Sequence, residues 1–197
     1  MARKLFILSV IALCYLLVRD WDSSPVSHSP GILVTENPLQ LDIQAGEFMV
    51  DDYRVTRRAR FEIRARVLST EPYYLHRESD LSPLDLALGW GPMSDTAVLD
   101  RIDISQSGRW YRTRYELPPP VSDQQVISNS SNMHMIPATA YIGRSLEKVR
   151  VGDIVLLTGY LVDVDHDSGW NWRTSLTRTD TGNGACEIVF VESLSVE

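Results

Sequence analysis

Cys186 is the side chain with the most reactive chemistry open to it. With His134 as a base, and Asp180 or Glu187 to orient the imidazole, a thiol can act as a nucleophile toward an acyl group. Such a centre needs a thiolate within hydrogen-bond reach of the histidine, often at a helix N-terminus. Here Cys186 instead opens an apolar stretch behind the Gly-rich segment 180–184, DTGNG, a setting that suits an inert, buried thiol. Asp163, Asp165 and Asp167 alternate around His166 and could gather oxygen ligands for Ca²⁺. The stretch lacks the Gly and the closing Glu of an EF-type loop, and Asp, Ser and Gly form turns there for local reasons. No metal and no cofactor is expected from these groups.

Aromatic and guanidinium side chains carry a second kind of chemistry. Along 109–117 (RWYRTRYEL), Trp110, Arg112 and Arg114 fall on one face of an extended chain, and Arg109, Tyr111 and Tyr115 on the other. Trp170 and Trp172 share a face in the same way, with Trp172 expected inside and Trp170 nearer the rim. Rings beside guanidinium groups make stacking platforms for a sugar, a peptide or single-stranded nucleic acid. Arg109, Trp110, Arg112, Trp170 and Trp172 are therefore the candidate ligand-binding residues, although core tryptophans with snorkelling arginines explain the same pattern. The charge balance narrows the ligand: 19 basic against 26 acidic side chains leave a net charge of −7, which repels polyanions at long range and makes nucleic acid an unexpected partner. Lysine occurs only at Lys4 and Lys148, so nearly all the positive charge is on arginine.

Two short motifs invite specific enzymology. His134-Met135-Ile136-Pro137 resembles the His-x-x-Pro stretch of non-specific metal-dependent nucleases, but Ser131-Asn132-Met133 stands where that family carries Asp-Arg-Gly. Asp180-Thr181-Gly182 spells the aspartic-protease triplet behind Arg178-Thr179, whereas that chemistry needs apolar residues in front and a second carboxylate.

The elements that must position these residues begin with an address. Arg3 and Lys4 precede an apolar run, Leu5 to Val18, which spans only ~21 Å as a helix, short of the ~30 Å hydrocarbon core. A signal peptide would need a small-x-small site, and Val18-Arg19-Asp20 offers none; Leu13 before Cys14 also disfavours a lipoprotein signal. Residues 1–21 thus read as an uncleaved signal anchor, single-pass in the cytoplasmic membrane through residues 5–18, with Trp21 at the interface. The basic flank directs the body to the periplasmic side. Residues 22–33, rich in Ser, Pro and Gly, read as a flexible tether with a solvated His28, and 34–197 as one extracytoplasmic domain.

In that domain Arg58 to Ser69 alternates strictly, with Phe61, Ile63, Ala65 and Val67 on one face and Arg60, Glu62, Arg64 and Arg66 on the other, and predicts a half-buried strand. Further strands are expected over 47–55, 109–117, 154–164, 170–177 and 186–191. Helices are expected after Ser82-Pro83, ending at Gly89; after Ser94; from a Ser122/Gln125 capping box to about Asn129; and over 139–149. Phe61, Ile63, Val67, Ile154, Leu156, Leu161 and Val189 are expected in one core. At least five strands without regular strand–helix alternation argue for a mainly β (β-rich α+β) domain, a small antiparallel barrel or half-open roll with short helices.

The segment VRVGDIVLLTGYLVDV resembles the strand that follows the helix in OB-type barrels, which implies an OB-like fold and no activity. The phrases LALGWGPMSD, SNMHMIPA and DTGNGACE make the whole chain resemble a group of exported or membrane-anchored bacterial proteins of no known activity, which implies an envelope location. The leading expectation is a membrane-anchored, extracytoplasmic binding or interaction domain for a protein or small ligand, with no catalytic centre of its own. A small envelope cysteine hydrolase using Cys186 and His134 is the alternative, and a metal-dependent nuclease centred on His134 the second.

Overall fold

Long β-strands dominate the chain, and one of them organises the rest. The structure, a computed structural model, describes residues 24–75, 77–182 and 184–197. The expected anchor over 1–21 lies outside the described residues. Among the described residues no helix is long and apolar enough to cross a membrane.

The strands are β1 (Leu39–Val50), β2 (Tyr53–Pro72), β3 (Leu84–Gly89), β4 (Ile102–Ser107), β5 (Trp110–Tyr115), β6 (Ser130–Pro137), β7 (Ile154–His166), β8 (Asn171–Trp172) and β9 (Glu187–Val196). The helices are short: α1 (Arg77–Leu81), a 3-10 turn at Gly91–Ser94, α2 (Thr96–Leu99), α3 (Asp123–Asn129) and α4 (Ala140–Leu146). The main sheet holds seven strands in the order β1-β2-β3-β6-β9-β7-β8, and β2 pairs with β7 as well. The ladders β2–β3, β3–β6, β6–β9, β9–β7 and β7–β2 therefore return to their start. All are antiparallel except β6–β9. β4 and β5 form a separate hairpin.

β2 can serve three partners because bulges bend it. A register shift between Arg57 and Ala59 swaps its faces, so Tyr53 and Val55 join one apolar cluster while Ala59, Phe61, Ile63, Ala65 and Val67 join another. A second shift between Val67 and Ser69 sends Leu68 into a third cluster. The expected alternation of Arg58 to Ser69 is present, and the charged face is tied down: Arg60 reaches Glu192 at 2.5 Å and Arg64 reaches Glu197 at 2.6 Å. Arg66 is buried on Ser94 O and Thr96 Oγ1, and that burial lowers its pKa. Where β9 crosses β7, a Cβ at Gly159 would meet Phe190 O at 1.9 Å, so the close approach admits only glycine.

Several expectations over local structure need correction. Leu84–Gly89 form β3, not a helix: Leu84, Leu86 and Leu88 repeat with period two and enter the main core, which overrides the Ser-Pro start signal. The strand expected over 170–177 is confined to Asn171–Trp172, because the backbone N–H of Thr174 turns to the Asp163 carboxylate and that of Ser175 to Cys186 O. Six of the seven residues expected in one core share it, but Leu156 is half-buried, with its neighbours Val155 and Leu157 inside in its place. The capping box Ser122/Gln125 starts α3 as expected, and α4 lowers Ile142 and Leu146 into the core.

In the segment 22–33 the described residues lie along the body. Val26 N donates to Val151 O, His28 Nε2 sits 2.7 Å from Gly152 O, and Leu33 N donates to Ser94 Oγ. His28, expected in solvent, is half-buried by this contact. Gly152 has φ +91° and no room for a Cβ, since Val26 O would lie 2.0 Å from it.

Candidate functional site

The strands β3 and β6 turn Leu84, Leu86, Leu88, Met133 and Met135 into the core. Their alternate residues therefore emerge on the opposite face, and these are Asp85, Asn132 and His134. Cross-strand register sets Asp85 directly against His134, and the parallel β6–β9 ladder brings Cys186, immediately before β9, beside Asn132. Chemistry-bearing side chains dispersed over a hundred residues of sequence thus meet on one patch.

The patch is buried although it is polar: Asp85, Asn132 and His134 expose 0%, 4% and 2% of their surface. Its cover is the tip of the β4–β5 hairpin. Arg109, at φ +70°, sends its guanidinium down to Asp85 Oδ1 at 2.5 Å and to Ser82 O at 2.8 Å. The guanidinium lies 3.8 Å from the centre of the Tyr73 ring and 5.6 Å from that of Trp172. The backbone of Arg109 is held too: its N–H donates to Tyr73 Oη at 2.8 Å, and its carbonyl accepts from Asn132 Nδ2 at 3.2 Å and from the Cys186 thiol at 3.9 Å. Nδ1 of His134 stands 2.8 Å from Asp85 Oδ1, an ion-pair distance, yet is out of line for a hydrogen bond. The imidazole packs on Trp172 with ring centres 4.5 Å apart.

Above this floor opens a cleft of about 640 Å³. One wall is the segment after β2, with Tyr73, Glu78 and Ser79; another is the hairpin tip, Gly108 to Trp110; the third is the segment between β7 and β9, with Trp170 to Arg173, Gly182, Gly184 and Cys186. His134 is on its floor. Trp170 and Trp172 meet at 6.0 Å between ring centres, and Trp170 leans on Tyr53 at 5.8 Å. Trp110 is 42% exposed. Four aromatic rings, those of Tyr73, Trp110, Trp170 and Trp172, thus face one space.

Burial, and then the charges of Glu187 and Asp85, push the Cys186 thiol up to about 11. At neutral pH it is a protonated donor and a poor nucleophile. Burial likewise pushes Tyr73 up to about 12, with Asp85 adding to the effect. Glu187 is buried against Arg178 and Ser131, and its burial raises its pKa. Arg173 is bound to both oxygens of Asp165, at 2.5 and 3.0 Å, which lowers the pKa of Asp165.

Of the residues singled out from sequence, Cys186, His134, Arg109, Trp110, Trp170 and Trp172 line the one cleft. Trp170 and Trp172 are both half-buried, so neither is wholly inside. Arg112 is not among the lining residues; it is solvent-exposed on β5, on the same strand face as Trp110 but farther from the tip. Asp180 accepts from Ser175 Oγ, and Glu187 is held by Arg178, so neither proposed orienter serves His134; Asp85 has that place. Asp163, Asp165 and Asp167 are taken by Arg58, Arg173 and Arg54 respectively. Among the described residues no group of three His, Cys, Asp or Glu side chains could hold a metal ion.

Sequence reading missed Asp85, Tyr73 and Asn132. The signal for Asp85 was available: a single carboxylate inside the alternating Leu84, Leu86, Leu88 occupies the opposite face of a buried strand, and a carboxylate there requires a cationic partner. Comparison with known proteins returned no matching family model, no matching curated protein and no matching solved structure.

Proposed function

We propose that this chain is a membrane-anchored, extracytoplasmic binding domain built on an OB-type barrel, with its ligand seated in the aromatic cleft over β3 and β6 and no catalytic centre of its own. The barrel reading is supported by the circuit of five strands, by the parallel β6–β9 pair within it, by the bent β2 that serves both β3 and β7, and by α4 between β6 and β7. In that architecture the outer face of the second and third barrel strands, flanked by the first and last long loops, is where ligands lie. The observation that carries the proposal is the cleft's position over the corresponding strands, β3 and β6, between the corresponding loops, with four rings turned into it. The anchor and its orientation rest on the apolar run 5–18 and its basic flank.

The cysteine-hydrolase alternative gains a better orienter in Asp85 and loses its nucleophile to burial, since a thiol with a pKa of about 11 leaves almost no thiolate at neutral pH. Binding is the reading the geometry favours. It is tested by a thermal-shift screen of the detergent-solubilised full chain against neutral oligosaccharides, acidic oligosaccharides, peptides and oligothymidylate, run beside Trp172→Ala. A saturable shift lost in Trp172→Ala supports the cleft. Shifts that persist unchanged in that variant place binding elsewhere and overturn it. Protease added to spheroplasts should degrade the body; protection until detergent is added refutes the orientation.

A further inference from the structure

A second compartment, of about 220 Å³, adjoins the cleft on the far side of Trp110, Gly182 and Cys186, which line both. Its other walls come from β5, α3, the start of β6, and Asp180, Thr181 and Ala185. We infer that the two compartments form one continuous groove for an extended, uncharged oligosaccharide, with Trp110 at the junction between successive sugar units. This inference rests on the reading of the cleft as a ligand site and names the ligand's class.

Charge excludes the anionic alternatives. Both guanidinium groups that line the cleft are already neutralised, Arg109 by buried Asp85 at 2.5 Å and Arg173 by a two-point contact with Asp165. Among the described residues no Lys or Arg lines the second compartment, and the one charged side chain there is the Asp180 carboxylate. Among the described side chains, an anion entering the groove would meet only guanidinium groups already paired with carboxylates, and it would approach a molecule of net charge −7. Against the paired guanidinium groups stands one carboxylate in each compartment, Glu78 and Asp180, and Asp180 already accepts from Ser175 Oγ; the rest of the lining is uncharged or aromatic. Such a lining suits a ligand with flat apolar faces for the rings and hydroxyl groups for uncharged polar side chains. The groove supplies both: Trp170, Trp172 and Trp110 in sequence, with Asn171 in the first compartment and Thr113 and Thr181 in the second. Two joined compartments make the ligand a chain, since a single sugar would leave one of them empty.

The experiment is a length series. Intrinsic tryptophan fluorescence of the detergent-solubilised full chain is titrated with cello-, malto- and chito-oligosaccharides from disaccharide to hexasaccharide. Peptides, acidic oligosaccharides and oligothymidylate serve as comparators. One neutral series should bind, and its affinity should rise about tenfold between the shortest and the longest member as the second compartment fills. Ala185→Leu, which narrows only the second compartment, should remove that gain while leaving the disaccharide affinity within about twofold, and Trp172→Ala should abolish binding of every length. Binding of a charged comparator or a peptide in preference to every neutral sugar, lost in Trp172→Ala, overturns the oligosaccharide class and leaves the cleft reading standing. Neutral sugars that bind without a gain in length overturn the continuous groove. No Trp172-dependent binding of any compound overturns both readings.

Discussion

The two faces of β3 and β6 are equally buried and chemically opposite. Inward, Leu86, Leu88, Met133 and Met135 expose 0% of their surface and pack against the rest of the core. Outward, Asp85 also exposes 0% and His134 2%, yet they are held by charged, polar and aromatic partners: Arg109 and Asn132 on Asp85, and Trp172 on His134. The inner face is buried against β2, β7, β9 and α4, and any apolar residue of suitable volume stabilises it. The outer face is covered by the β4–β5 tip and the Trp172 segment, and it tolerates burial only because Arg109, Asn132 and His134 answer the Asp85 carboxylate. Identical burial therefore serves stability on one side and holds a preorganised polar patch on the other.

The sharpest way to break this comparison is to truncate one residue on each face. Leu88→Ala should cost ~2 to 5 kcal/mol in urea unfolding, through lost packing and a residual cavity, with the cleft's fluorescence response retained in the folded fraction. Leu156→Ala, on a half-buried side chain, should cost clearly less; equal losses would mean that the core boundary along β7 is misplaced.

Asp85→Ala should cost ~3 kcal/mol, because it strands a guanidinium and an imidazole beneath the hairpin. Part of that loss should return in Asp85→Ala/Arg109→Ala, where no cation is left to answer. Strict additivity of the two single changes would show that the two groups do not act as a pair.

Cys186 gives a kinetic measure of the same cover. A thiol raised from 9.0 to about 11 should be alkylated at pH 7 about a hundredfold more slowly than in the urea-unfolded chain, from the thiolate fraction alone. The sign for stability follows: the folded pKa is raised, so the buried neutral thiol's contribution is present below about 9 and is lost as pH rises toward about 11. Labelling at the unfolded rate would mean that the hairpin tip does not shield it.

The smallest effect belongs to the rim. Trp110→Ala should leave stability within about ±0.5 kcal/mol, since the ring is 42% exposed, while it weakens ligand binding. A loss of stability comparable to that of Leu88→Ala would make Trp110 a core residue and remove it from the site.

Much of the fold was legible because it depends on local repetition. The alternation of Phe61, Ile63, Ala65 and Val67, the apolar run from Ile154, the Ser122/Gln125 cap and the period of α4 are each readable within a dozen residues. The mainly β class follows from them. β3 and β6 were obscured for different reasons: a Ser-Pro helix start precedes Leu84, and the Met-rich SSNMHMIP has Ile136 as its single β-branched residue.

The sequence by itself determined the kinds of side chain the cleft would use: tryptophans and an arginine flanking turns, one histidine in a Met-rich stretch and one thiol opening an apolar one. Only the tertiary structure decided that Asp85, rather than Asp180 or Glu187, meets His134, that Arg109 closes the patch, and that Arg112 stands outside it. The physical reason is that pairing register between strands, and the docking of a hairpin tip onto them, depend on contacts between residues distant in the chain. No local pattern encodes which residue stands opposite another across a ladder.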